Sequence, residues 1–96
     1  MKWIETINVR FADTKADQPV KQIFESALRS PQQRGLKRMK LFRNAALATD
    51  LCLSLHWERK SLPVRGSTLG LCVAENLKEF GLVHHAVWVQ ETPALE

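Results

Sequence analysis

Residues 66–91, GSTLGLCVAENLKEFGLVHHAVWVQE, change their hydrophobic period halfway. Leu69, Cys72, Val73, Leu77 and Phe80 recur at the spacing of one helix face, and Ser67 stands where a side-chain cap belongs. That spacing predicts an amphipathic helix with Cys72 in its apolar stripe. Gly81 sits where a left-handed helix stop is expected. From residue 82 to residue 90 the period becomes two, which predicts a strand. Adjacent strand residues point to opposite faces. His84 therefore shares a face with Ala86 and Trp88, and His85 with Val83, Val87 and Val89. The two histidines cannot ligate one metal without distorting the strand.

The first half of the chain follows the same plan in reverse. In residues 3–11, WIETINVRF, the side chains of Trp3, Ile7, Val9 and Phe11 point one way, and those of Ile4, Thr6, Asn8 and Arg10 the other. A polar stretch, ADTKADQ (12–18), leads into Pro19, which suits a first helical turn, with Asp17 as its cap. Val20, Ile23, Phe24, Ala27 and Leu28 give a second amphipathic stripe, which Ser30-Pro31 ends. Gly35 closes the loop that follows. Two further strands lie between the helices: LKRMKLFR (36–43), whose cations blur its alternation, and DLCLSLHW (50–57), whose alternation is clear. The apolar run Ala45-Ala46-Leu47-Ala48 between them is odd for a solvated turn, and reads as an extension of the second strand or a partner contact.

The order is thus βαββαβ. Two crossover helices must each cover a sheet face, and right-handed connections put them on the same one. The predicted fold is α+β and ferredoxin-like: a four-stranded antiparallel sheet with both helices on one side, the first and third strands central. A single domain over residues 1–92 accounts for the pattern, with 93–96 as a tail whose Leu95-Glu96 has the look of a cloning scar.

Composition narrows the classes. Hydrophobic residues make up 45% of the chain and charged residues 25%, the balance of a globular domain and not of a disordered tail. No apolar run is long enough to span a bilayer, the start has no secretory pattern, and two cysteines build no disulfide scaffold, so a cytoplasmic location is expected. Five of the cations, Arg34, Lys37, Arg38, Lys40 and Arg43, crowd into ten residues. Such a block raises nucleic acid as a partner, but on an edge strand it also discourages stray strand pairing. The topology puts it at an edge and favours the protective reading.

The sheet's two faces then differ in chemistry. Toward the helices lie Ile7, Val9, Phe11, Leu51, Leu53, Leu55, Trp57, Val83, Val87 and Val89, with His85 as a satisfied core or rim histidine. The reverse carries Thr6, Asn8, Arg10, Cys52, Ser54, His56, His84, Ala86 and Trp88. Small hydrogen-bonding side chains around one indole resemble the lining of a cavity. A second copy laid sheet to sheet would cover it, so a homodimer is expected.

With that order and those faces, the chain resembles the dimeric α+β-barrel superfamily, and within it small bacterial proteins grouped with the antibiotic-biosynthesis-monooxygenase-like domains. The segments carrying the likeness are WIETINVRF, DLCLSLHW (50–57) and residues 66–91. The resemblance implies a cofactor-free oxidation of a small aromatic substrate in a pocket that holds an anion, binds rings and excludes water. On matching faces this sequence offers Arg10 for developing oxyanion charge, His56 or His84 as base, Asn8 and Ser54 to orient the substrate and Trp88 as stacking wall. The absence of tyrosine departs from the phenolic lining common in such pockets.

Other readings compete. Asn8, Ser54, His56 and Arg10 would serve as well by hydrogen-bonding one another and fixing a dimer register. A binding or assembly module without turnover would use the same pocket. Haem degradation lacks a histidine on the second helix, and no cofactor is expected. RNA binding needs aromatics on the central strands, where this sequence has none on the outward face, so neither nucleic acid nor membrane is an expected partner.

Overall fold

The computed structural model describes residues 1–31 and 33–93; the tail residues Leu95 and Glu96 lie outside them. Its elements run β1 (Lys2–Arg10), a short 3-10 turn (Thr14–Ala16), α1 (Asp17–Leu28), β2 (Leu36–Arg43), β3 (Asp50–Glu58), α2 (Thr68–Leu77) and β4 (Leu82–Val89). The strands form one antiparallel sheet in the order β2-β3-β1-β4. The βαββαβ order is therefore realised as a ferredoxin-like fold, with β1 and β3 central and β2 and β4 at the edges.

Period two puts Trp3, Ile7 and Val9 of β1 and Leu51, Leu53, Leu55 and Trp57 of β3 under the helices, where all are buried. Val20 and Ala27 of α1 and Leu69, Val73, Ala74 and Leu77 of α2 close over them. Burying each large aliphatic side chain contributes about 1.5–3 kcal/mol. Between the sheet and the helices there is a cavity of about 10 Å³, lined wholly by apolar side chains. The interior between the sheet and the helices has no space for a ligand.

Several local expectations are corrected. Asp17 does not cap α1: it is the first helical residue, and its carboxylate pairs with Arg43 at 3.0 Å, while Asp13 caps the preceding 3-10 turn through the Lys15 amide. Cys72 is exposed, because the buried stripe of α2 runs through 69, 70, 73, 74 and 77 and leaves position 72 at its outer margin. Leu28 and Val89 are also exposed, each at the end of its element and past the cover of its neighbours. Gly81 is not left-handed; Gly35 and Gly66 are the described residues with positive φ. A Cβ at Gly81 would come within 2.1 Å of the Arg10 carbonyl oxygen, so glycine is needed there for close backbone approach. The Ala45–Ala48 run does not extend β2. Asn44 ends the strand by accepting hydrogen bonds from the Ala46 and Leu47 amides at 2.7 and 3.0 Å.

Candidate functional site

Strand register arranges the open face in rows that cross the whole sheet. Arg38 stands opposite His56, His56 opposite Ile4 and Ile4 opposite Trp88, so one row reads Arg38, His56, Ile4, Trp88. The next reads Lys40, Ser54, Thr6, Ala86, and the third Phe42, Cys52, Asn8, His84. A fourth pairs Asp50, Arg10 and Leu82. Neighbours within a row are roughly 5 Å apart, close enough to act on one bound molecule.

The residues singled out from sequence share this face but divide between its two ends. His56 and Trp88 line a groove of about 560 Å³ with Ile4 and Arg38. Asn8, Arg10 and His84 line a second groove of about 440 Å³ with Phe42, Asp50 and Cys52. His56 and His84 are two rows apart, roughly 13 Å along the strands, too far to share one proton. Ser54 lies between the ends. Its hydroxyl is buried, at 7% residue exposure, and has no hydrogen-bond partner among the described residues.

The environments of these groups differ. Arg10 donates two hydrogen bonds to the Asp50 carboxylate, from Nε at 2.7 Å and Nη2 at 2.8 Å. The pair holds the Asp50 carboxyl below its usual range and raises the Arg10 guanidinium further. Arg10 is thus engaged at the far end from Trp88. His56 is half-buried, and partial loss of solvent, reinforced by the nearby cations Arg38 and Lys40, lowers its pKa below the ordinary 6.5. Its imidazole is neutral at neutral pH and free to accept a proton. Burial raises the Cys52 thiol, which stays protonated. Trp88, 54% exposed, leans from β4 over β1 and donates its Nε1 hydrogen to Thr6 Oγ1 at 2.9 Å. The indole is thereby tied to β1, in the groove it shares with Ile4 and His56.

A second polar constellation, which sequence reasoning missed, lies on the helix face. Glu5 is fully buried there. Its carboxylate accepts from Trp57 Nε1 at 3.0 Å, the Ser67 amide at 3.0 Å and the Ser67 hydroxyl at 2.7 Å. His85 Nε2 lies 2.5 Å from its other side and donates to it. Ser67 in turn caps α2 through the Gly70 amide at 2.9 Å. A carboxylate offers about four acceptor sites, and this one has four donors. Glu5 is saturated by the protein itself, and His85 is satisfied by it, as a core histidine should be. The signal for Glu5 was its parity: it falls between Trp3 and Ile7 on the apolar face.

Among the described residues, no group of three or more His, Cys, Asp or Glu side chains is placed to hold a metal ion. No helix is long and apolar enough to cross a membrane.

No protein-family model matches the chain, and no curated protein matches it at a significant level. Solved structures do. SnoaB from Streptomyces nogalater, a cofactor-independent oxygenase, superposes with a TM-score of 0.70 at 14% identity, covering 99% of this chain and 98% of that one. Rv0793 from Mycobacterium tuberculosis gives 0.69 at 15% identity, with 99% and 100% covered. A Nitrosomonas europaea protein that carries the provisional name antibiotic biosynthesis monooxygenase gives 0.64 at 12% identity, with 96% and 92% covered. Over nearly its whole length the chain shares the fold of these three proteins.

Proposed function

We propose that two copies of this chain pair with their sheets face to face, and that the groove at the Trp88 end binds a small hydroxylated aromatic substrate and oxidises it with dioxygen, without a cofactor. The observation that carries this reading is the row Arg38–His56–Ile4–Trp88. It sets a flat wall, an apolar floor, a neutral base and a cation side by side on one rigid sheet. The indole takes the ring face. His56 accepts the phenolic proton, and Arg38 stabilises the resulting oxyanion. The electron-rich anion is then the reductant: one oxygen atom enters the substrate as a carbonyl and the other leaves as water, all electrons coming from the substrate. The fold shared with a cofactor-independent oxygenase supports the same chemistry.

Ile4, Phe42, Leu82 and Trp88 all stand exposed on this one face, which supports a partner sheet as its cover. In this assignment Arg38 takes the oxyanion role that sequence alone gave to Arg10, and the Asn8–His84 end orients or seals.

Light scattering and oxygen uptake test the two halves of the reading. A dimer at micromolar concentration, and oxygen consumption with at least one member of a panel of anthrones, quinols and flavonoid-like phenols, are expected. A monomer removes the facing-sheet chamber. A dimer that binds panel members without consuming oxygen makes the protein a ligand-binding module.

A further inference from the structure

We infer that the substrate of the Trp88 groove is an aromatic acid, a one- or two-ring compound whose carboxylate is received by Lys37 and Arg38; this rests on the groove being the ligand site proposed above. The deciding feature is a group of cations at one end of the sheet, two of them beside a β-bulge. Leu36 pairs with Trp57 and Arg38 with His56, so the β2–β3 register slips between them and Lys37 is the extra residue. In an unbroken strand Lys37 and Arg38 would point to opposite faces. Both residues nevertheless line the groove, as the successive residues Trp3-Ile4 and His56-Trp57 of the regular strands do, so the slip brings the two cations to the end of the sheet where all four strands meet it.

The charges there are uncommitted. Lys2, Lys37 and Arg38 line the groove against a single carboxylate, Glu58, and none of the three cations is in an ion pair among the described residues. Cations at the other end are neutralised: Arg10 by Asp50, and Arg43 by Asp17. Protecting an edge strand explains why β2 is basic, but it does not explain why the cations of this one groove lack counter-charges. A bound carboxylate would supply one. Arg38 presents a planar fork and Lys37 a mobile point charge, a pairing suited to a carboxylate already charged before the phenolic proton leaves. The excess of cations also suits the dianion formed once His56 has taken that proton.

Dimensions limit the acid. The indole leans over β1, and the cations stand on β2, two strand spacings or roughly 10 Å away. One ring or two fused rings with a carboxylate fill that distance.

Calorimetric titration of the full chain with a hydroxynaphthoate and with the matched hydroxynaphthamide tests the inference. The acid is expected to bind at least tenfold tighter at low salt. That preference should fall to within twofold in Lys37→Met and persist in Lys37→Arg, both on the exposed edge where folding is undisturbed. Equal binding of acid and amide overturns the charge inference and leaves the groove standing as an aromatic site. An undiminished preference in Lys37→Met overturns Lys37 as the receiver of the carboxylate. Binding of neither compound overturns the groove itself. Preferential binding without oxygen uptake upholds the acid and overturns only the oxygenase reading.

Discussion

On the helix side of the sheet, Glu5 is fully buried and holds four donors; on the open side, Ser54 is nearly as buried and its hydroxyl holds none. The two residues sit on neighbouring central strands with their side chains on opposite faces, Glu5 among Trp57, Ser67 and His85, and Ser54 one row from His56. A polar group whose valence is filled by its own chain builds structure. One that is sheltered but unfilled leaves a demand unmet. The Glu5 hub ties β1, β3, α2 and β4 together, and the proposed chemistry is assigned to the other face.

The sharpest way to break that contrast is Glu5→Ala. Removal leaves the Trp57 and His85 ring donors and two Ser67 donors buried without an acceptor, and should cost roughly 3–5 kcal/mol in urea unfolding. A loss under about 1 kcal/mol would mean that the hub is not structural. On the open face, His56→Ala should lower oxygen consumption by about 100-fold. It should leave the unfolding midpoint almost unmoved.

The pH profile of turnover sharpens the same point. His56 works as the neutral form and its pKa is depressed, so activity is full near neutrality and falls as the pH drops through a midpoint below 6.5. Arg38→Met removes one cause of the depression and should move that midpoint upward. The matching stability effect has a definite sign. Between the folded pKa and 6.5 the unfolded chain binds the proton first, so stability rises with pH across that window. Lys40→Met, which removes the lesser of the two nearby cations, should move the activity midpoint upward as well. Lys37→Met or Arg43→Met moving it as far as Arg38→Met would show a diffuse field.

Gly70→Ala comes next. The added Cβ would lie 1.9 Å from Glu5 Oε2, an oxygen of a buried carboxylate held by four donors, which cannot swing aside. Overpacking of this kind costs about 1–3 kcal/mol. The smallest effect belongs to Arg10→Ala, which breaks an exposed ion pair. Thermal unfolding should not register it at neutral pH, and neither should oxygen uptake if Arg38 holds the oxyanion.

The sequence carried the elements and the faces well, because period two and period 3.6 are properties of local chain geometry and the apolar residues obey them at Ile7, Leu55, Val73 and their neighbours. Legibility ended where long-range geometry took over. Nothing in LKRMKLFR announces a bulge, so Lys37 and Arg38 read as alternating charges on a protected edge. Nothing local pairs Arg10 with Asp50, which are 40 residues apart and meet only through the β1–β3 register. Glu5 was written in the pattern as a charge among apolar neighbours, but its four partners come from three separate segments that only the folded chain assembles. Cys72 missed the core by a modest rotation of α2, a quantity that a stripe of five residues does not fix.

Trp3 and Trp57 stack under the helices, with ring centroids 5.5 Å apart and planes 18° from parallel, while the third indole, Trp88, lies on the outside. The protein consequently carries two optical probes with separate duties. Coupled transitions of the stacked pair should give a paired circular-dichroism signal that vanishes only on unfolding. The emission of the solitary indole should respond to occupancy of the groove while that signal stays constant.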